Sequence, residues 1–277
     1  MLQKRRFKEE CVRYGILTPK DYCASGKLSE EEKEKIEYPV IVKPTDNAGR
    51  KGISVCYDRI QLERAIVYAE QHSQCKELII EEYLEGTELC ALYTIVDGKA
   101  SLSCLNGKYI MEDQERKTGL CEFVLTPVNF YDRYIKETDK NIQEFLKGIS
   151  AKNGFAFFQG MVTDKKICIF EMGYRVNGNN EYRFIEKLRG INFMKMLISY
   201  SLCGTMGDDI KKDNPEFEKY ISTLLLYAHS GRIERMEYEK VLCHPQIEEA
   251  MVYAWEGKEI AEDGTTGQNV LSFRLMT

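Results

Sequence analysis

Pairs of strand-like runs joined by turn residues, with helical patterns set between the pairs, constrain this chain more than any other feature of its sequence. The run Pro39-Val40-Ile41-Val42-Lys43-Pro44 is β-branched and ends at a proline. A polar, glycine-containing turn from Asp46 to Gly52 follows, then Ile53 to Cys56, so residues 39–57 read as a hairpin. Leu78-Ile79-Ile80 opens another strand, and Glu88 to Val96 a further one. The latter leads through Asp97-Gly98, a strong hairpin signal, into Ala100 to Cys104. Residues 155–171 form a third hairpin around Thr163-Asp164-Lys165-Lys166.

Helical patterns fall between these pairs. Residues 4–14 are charged and helix-compatible, with Gly15 as C-cap. Residues 29–37 read as a solvated helix. Asp58 caps a helix with Gln61 three residues on, and Leu62, Ala65, Ile66 and Ala69 form its apolar face. Ile142, Phe145, Leu146 and Ile149 recur at helical spacing. Further helices are expected at 191–202, at 215–228 with Asn214 as cap and Pro215 at the first position, and at 245–255 behind Pro245. Residues 106–132 read as irregular, and the tail from Lys258 to Met276 as polar and short-stranded. Hairpins mixed with separated helices predict an α+β fold rather than a doubly wound parallel sheet.

Composition narrows the function classes. The 277 residues suffice for one large domain or two smaller ones. A formal net charge of -5 argues against a dominant nucleic-acid role, which needs a basic face. No apolar stretch approaches a membrane span and no signal peptide opens the chain. Ten scattered cysteines without a Cys-x-x-Cys pair, and only three histidines, disfavour a zinc site. Cys56, Cys90 and Cys168 sit in apolar runs as small hydrophobes, in keeping with reduced thiols in a cytoplasmic protein.

Four segments carry candidate chemistry. The loop Asp46-Asn47-Ala48-Gly49-Arg50-Lys51-Gly52 has glycines that admit a ligand to the backbone and two adjacent cations, yet it is no P-loop, because no Gly-Lys-Ser/Thr follows. It suits a flap over a polyanion or a charged surface turn. Lys43 ends an apolar strand and needs a partner, either a phosphate or a carboxylate. In Glu81-Glu82-Tyr83-Leu84, with Glu88 close behind, carboxylates could take ribose hydroxyls or an exocyclic amine, and the backbone near Tyr83 and Leu84 an adenine edge. In the third hairpin, residues whose numbers sum to about 330 should face each other across a turn centred near Lys165. Gln159 and Glu171 would then offer oxygens to one hard cation such as magnesium, unless the register slips by one. Arg175 lies beyond, able to offset charge on a transferring phosphoryl group or to pair with Glu171.

Taken in order, the lysine, the glycine flap, Glu-Glu-x-hydrophobic with a second Glu, and Glu-x-x-x-Arg resemble the ATP-grasp superfamily, from Lys4 to about Gly178. Its members include biotin carboxylase, carbamoyl-phosphate synthase large chains, D-alanine–D-alanine ligase and L-amino-acid ligases. The resemblance implies two α+β lobes with ATP between them: residues 1–24 as a connecting helix and strand, 25–90 as the small lobe, and 91–277 as the large lobe with a C-terminal extension. It implies phosphate contacts from Lys4 and Lys43 beneath the flap residues Gly49, Arg50, Lys51 and Gly52. Glu81, Glu82, Tyr83 and Leu84 would line the adenine pocket and Glu88 would meet the ribose. Glu171, with Gln159, would bind Mg2+, and Arg175 and Asn177 would face the reacting carboxylate or acyl phosphate.

The implied activity is ATP-dependent activation of a small-molecule carboxylate as an acyl phosphate for attack by an amine; a homodimer is compatible with it. A non-catalytic ATP-binding module and a bicarbonate-using carboxylase or carbamoyl-phosphate synthase-type enzyme are the alternatives. Two positions depart from the family: Gln159 stands where many members carry an acidic ligand, and Gly173 where many carry Asn. The family's usual N-terminal domain, of roughly a hundred residues, would precede Lys4, so poor turnover by this chain alone is expected.

Overall fold

The computed structural model describes residues 4–23, 28–46, 52–110, 120–261 and 266–277. In chain order these form helices α1 (Lys4–Arg13) and α2 (Glu30–Glu34), strands β1 (Val40–Pro44) and β2 (Ser54–Cys56), helix α3 (Arg59–Gln71), and strands β3 (Leu78–Glu82), β4 (Thr87–Val96), β5 (Lys99–Ile110) and β6 (Cys121–Thr126). Helix α4 (Tyr131–Tyr134) runs through one π turn into α5 (Lys140–Gly148), followed by β7 (Gly154–Val162), β8 (Ile167–Gly173), α6 (Glu181–Arg189) and α7 (Phe193–Cys203). The rest comprises β9 (Ile221–Tyr227), β10 (Gly231–Arg232), α8 (Glu239–Leu242), β11 (Ile247–Val252), β12 (Glu259–Ile260) and β13 (Asn269–Met276). Two compact units result. The first holds Met1–Thr18, Glu85–Gly107 and Thr126–Glu218; the second holds Pro19–Leu84, Lys108–Leu125 and Lys219–Thr277.

In the first unit β5, β4, β7 and β8 lie side by side in that order. Alternation gives this sheet two faces. Leu89, Ala91, Tyr93 and Ile95 of β4, Ala156 and Phe158 of β7, and Ile167 and Ile169 of β8 share one core with Phe7 and Cys11 of α1 and Ile142, Phe145 and Leu146 of α5. Helix α1 stops as its sequence predicts: Gly15 is left-handed at φ +70° and the Ile16 N–H reaches back to the Cys11 carbonyl. Asp97 and Gly98 both take positive φ, the geometry of a two-residue turn that matches strand twist.

The second unit holds a three-stranded antiparallel sheet of order β2-β1-β3, covered on one side by α3. Val40 and Val42 of β1, Leu78 and Ile80 of β3, and Leu62, Ala65 and Ala69 of α3 form its core. The Asp58 carboxylate accepts the Gln61 N–H to start α3, and the Gln61 side chain accepts the Tyr57 N–H. The unit also holds β11, β13, β9 and β6, in that order.

Four expectations are corrected here. Residues 221–227 form strand β9, not part of a helix over 215–228, and 247–252 form strand β11, not part of a helix over 245–255. Both pair with β13, so ladder bonds and sheet packing override leucine- and glutamate-rich helix propensity. The Asn214 side chain does accept a backbone N–H, from Glu216, but in a local turn. Pro245 follows the short α8 instead of opening a helix. The tail is corrected too, since β13 is eight residues long and lies between β11 and β9 with Leu271, Phe273 and Met276 buried. Residues 106–110 and 121–126, expected to be irregular, belong to β5 and β6.

All ten cysteines are free thiols; Cys56, Cys90 and Cys168 are buried as expected. Burial pushes the Cys11 thiol up to about 12 and the Cys56 thiol up to about 11. Among the described residues no helix is long and apolar enough to cross a membrane.

Candidate nucleotide and acyl-transfer site

Lys43 and Glu81 come together within the second unit. In the β1–β3 ladder Ile41 faces Glu81 and Lys43 faces Ile79. Alternation therefore places Ile41, Lys43, Ile79 and Glu81 on the face turned away from α3. There the Lys43 ammonium and the buried Glu81 carboxylate form an ion pair, the side chains 13% and 2% exposed. Both of Lys43's expected partners are thus compatible, because an ammonium donates more than one hydrogen bond.

The neighbouring residues divide between support and opportunity. One Glu82 oxygen accepts the Lys20 N–H, and the Glu82 N–H donates to the Lys20 carbonyl, so Glu82 ties the strand end to the incoming chain. The Tyr83 N–H is taken by the Pro39 carbonyl. The Leu84 N–H has no backbone acceptor among the described residues. Gly49, Arg50 and Lys51 lie outside the described residues. Gly52 is left-handed at φ +76°, and a Cβ there would fall 2.7 Å from the Pro44 ring and 2.8 Å from His72.

Sequence reasoning missed how Asp46 is held. Asp46 accepts from the Ser73 hydroxyl and from the Gln74 and Cys75 N–H groups. The Cys75 backbone bond, then the Ser73 hydroxyl, hold its carboxyl down at about 2.

In the first unit the candidates gather on the sheet face opposite the core. Cys90 faces Gln159 across β4–β7, and Gln159 faces Glu171 across β7–β8. Glu88, two residues before Cys90 on β4, shares that face. Beside the turn the pairs are Val162–Ile167, Met161–Cys168 and Gly160–Ile169; the register then shifts by one, leaving Phe170 as the extra residue of a β-bulge. The bulge is what brings Glu171 opposite Gln159.

Beyond β8, the Arg175 guanidinium sits 4.9 Å from the centre of the Phe157 ring and donates to the Val176 carbonyl. Asn177, 9% exposed, docks its side-chain NH2 on the Cys90 sulfur at 3.8 Å. Lys4 is the first residue of α1 and is half-buried.

Among the described residues no three His, Cys, Asp or Glu side chains cluster to cage a metal. Glu171 and Gln159 nonetheless suit magnesium, which keeps several waters and takes one or two protein oxygens plus substrate phosphates.

Sequence reasoning also missed a buried polar row on β5 and the residue it meets. Asn106 is 1% exposed, accepts from the Cys104 thiol at 3.0 Å and donates at 2.9 Å to Glu181, itself 2% exposed. Lys108, also buried, shares their side of the strand by alternation. The polar residues at 104, 106 and 108 carry a period of two, the signal that could have extended the strand past Cys104.

Known proteins resemble this chain in sequence and in fold. Residues 9–153 match the protein family described as D-ala D-ala ligase C-terminus. The phosphoribosylamine–glycine ligase of Fusobacterium nucleatum is 26% identical over 256 residues, covering 84% of this chain and 56% of that protein. The carbamoyl phosphate synthase large chain of Clostridium acetobutylicum is 26% identical over 192 residues, covering 66% of this chain and 17% of that one. In structure, the L-amino acid ligase from Bacillus licheniformis superposes with a TM-score of 0.78 at 15% identity, over 99% of this chain and 66% of its own. That last likeness is one of fold. The chain spans little more than half the length of the first relative and a smaller share of the second.

Proposed function

The chain belongs to the family described as D-ala D-ala ligase C-terminus, an ATP-grasp family, and on that premise we propose that it binds MgATP and activates a small carboxylate for attack by an amine. The observation that carries this reading is the polar row on the first unit's sheet: Glu88, Gln159 and Glu171 share the face opposite the core, with Arg175 stacked on Phe157 and Asn177 docked on Cys90.

Bound MgATP would supply the phosphoryl group that turns the carboxylate into a leaving-group-bearing acyl compound. This chain's own residues would bind, orient and neutralise. In the second unit Lys43 would contact phosphate oxygens while Glu81 holds its ammonium in place, and the Leu84 N–H would meet the purine edge. In the first unit Glu88 would accept from the ribose, and Glu171 with Gln159 would face the magnesium. Arg175, held flat by the Phe157 ring, would offset the negative charge that builds on the reacting carboxylate. Catalysis of this kind is positioning plus electrostatics and needs no side-chain nucleophile.

The test is calorimetric and kinetic. MgATP should raise the melting temperature of the wild-type protein by mass action. Lys43→Met should remove most of that rise. ADP should form on addition of a carboxylate with an amine, across a panel of amino acids. No MgATP-induced shift in the wild-type protein would refute nucleotide binding, and an equal shift in Lys43→Met would refute the phosphate role of Lys43.

A further inference from the structure

We infer that Asn177 and Glu181 form a binding site for the primary ammonium group of the acceptor amine, an inference that rests on the ligase reading above and names the chemistry of its second substrate. Two buried side-chain oxygens carry it. The Asn177 Oδ1 and Glu181 Oε2 atoms are both out of contact with bulk solvent, and neither meets a hydrogen-bond partner among the described residues. Buried polar atoms are ordinarily satisfied, and a buried carboxylate oxygen without a donor is among the costliest to leave bare.

The surrounding contacts fix both groups and leave those two atoms over. A chain of hydrogen bonds holds Glu181 from one side: the Cys104 thiol donates to Asn106 Oδ1, and Asn106 Nδ2 donates to Glu181 Oε1. Asn177 is held separately, its NH2 on the Cys90 sulfur. Cys90 in turn faces Gln159, which faces Glu171, so Asn177 adjoins the polar row assigned to metal and acyl group.

Both free atoms are acceptors only, so the missing partner is a donor. A phosphate or carboxylate would meet repulsion from Glu181. A metal ion at these two solvent-excluded oxygens would have to shed the waters that complete its shell of six or more ligands. A primary ammonium supplies up to three N–H donors and a positive charge, which answers an amide oxygen and a carboxylate oxygen together.

The experiment uses the full chain saturated with MgADP, with methylammonium chloride as probe and tetramethylammonium chloride as its match in charge without N–H donors. Binding is read by saturation-transfer NMR of the methyl protons. Methylammonium should bind saturably to the wild-type protein and tetramethylammonium at least tenfold more weakly; Glu181→Gln should weaken methylammonium at least tenfold while MgADP affinity stays within twofold. In turnover assays the same variant should raise the KM for the amine, leaving the KM for ATP unchanged. Equal binding of the two ammonium ions to the wild-type protein, or no binding of either, overturns the proposal without any variant having to fold. Equal methylammonium affinity in wild type and Glu181→Gln overturns it as well. A protein that fails to bind MgADP refutes the nucleotide reading itself, a result distinct from these.

Discussion

Replacing Gly173 with Asn gives the sequence Glu-x-Asn that many ATP-grasp proteins carry, and the structure predicts that the change harms this one. Gly173 lies directly opposite Phe157 across β7–β8. A Cβ added there would stand 2.4 Å from two carbons of the Phe157 ring, where nonbonded carbons settle at about 3.5–4.0 Å. The ring must therefore move by more than an ångström, and it is buried, 6% exposed, with the Arg175 guanidinium stacked on it.

Forcing extra atoms into a packed site costs about 1–3 kcal/mol, and an amide left short of partners adds about 1–3 more. A loss of about 2–6 kcal/mol lowers the melting temperature by roughly 4–24 °C in a domain of this size. Scanning calorimetry of the wild type and Gly173→Asn reads that shift. Because Phe157 lies two residues before Gln159 on β7, its displacement disturbs the strand that carries the amide, and the variant should gain no magnesium affinity. Adding Phe157→Ala should make the double variant less destabilised than the sum of the two single changes, since the clash disappears with the ring. A Gly173→Asn protein melting within a degree of wild type would refute the steric argument, and strictly additive double-variant energies would refute the role of Phe157 in it.

Two further outcomes follow from other sites. Burial raises the Asp213 carboxyl to about 6, against the Ser103 hydroxyl that donates to it, so its charged form weighs against the fold. A carboxyl raised in the folded state binds more protons folded than unfolded, so its contribution to stability falls as pH rises from about 4 to 6, by about 3 kcal/mol for a shift of roughly two units. Asp213→Asn should accordingly match wild type below pH 4 and exceed it at pH 7.5 in urea unfolding; a difference independent of pH would contradict this. Gly52→Ala combines a left-handed backbone with contacts at 2.7 and 2.8 Å, and should cost about 2–4 kcal/mol. Gly98→Ala, left-handed but with nothing within 4 Å, should cost only about 1–2; equal losses in the two would show that the Pro44 and His72 contacts do not matter.

How far the sequence could be read depended on whether a signal was local. Caps and turns at Gly15, Asp58 and Asp97-Gly98 are decided within a few residues, and the structure places each where the pattern does. Lys43 and Glu81 were individually conspicuous as charges ending apolar runs, but that they pair depends on the β1–β3 register, fixed only when the two strands meet. The failures share one cause. Ile247-Glu-Glu-Ala-Met-Val and Ile221-Ser-Thr-Leu-Leu-Leu-Tyr have residues a helix would accept, and only the presence of β13, buried at Phe273 and Arg274, makes strands of them. Glu181 was invisible for the same reason, because a glutamate opening a helix looks like an ordinary dipole partner until Asn106 arrives from a strand 75 residues away.

The Gln159–Glu171 pair shows how a correct juxtaposition can rest on incomplete geometry. Counting outward from Lys165 with a constant sum of 330 places these two opposite each other, yet the three pairs nearest the turn sum to 329. Continued without interruption, that register would set Gln159 against Phe170, and alternation would carry Glu171 to the helix-covered face among Ile167 and Ile169. The bulge at Phe170 adds the one residue that reverses this. It falls beside Gly160, where a Cβ would stand 2.4 Å from the Cys168 carbonyl oxygen, so the close approach of the two strands depends on a residue without a side chain. The polar face that the proposed chemistry needs is therefore set less by the glutamate itself than by a glycine and an extra phenylalanine within two residues of the pair.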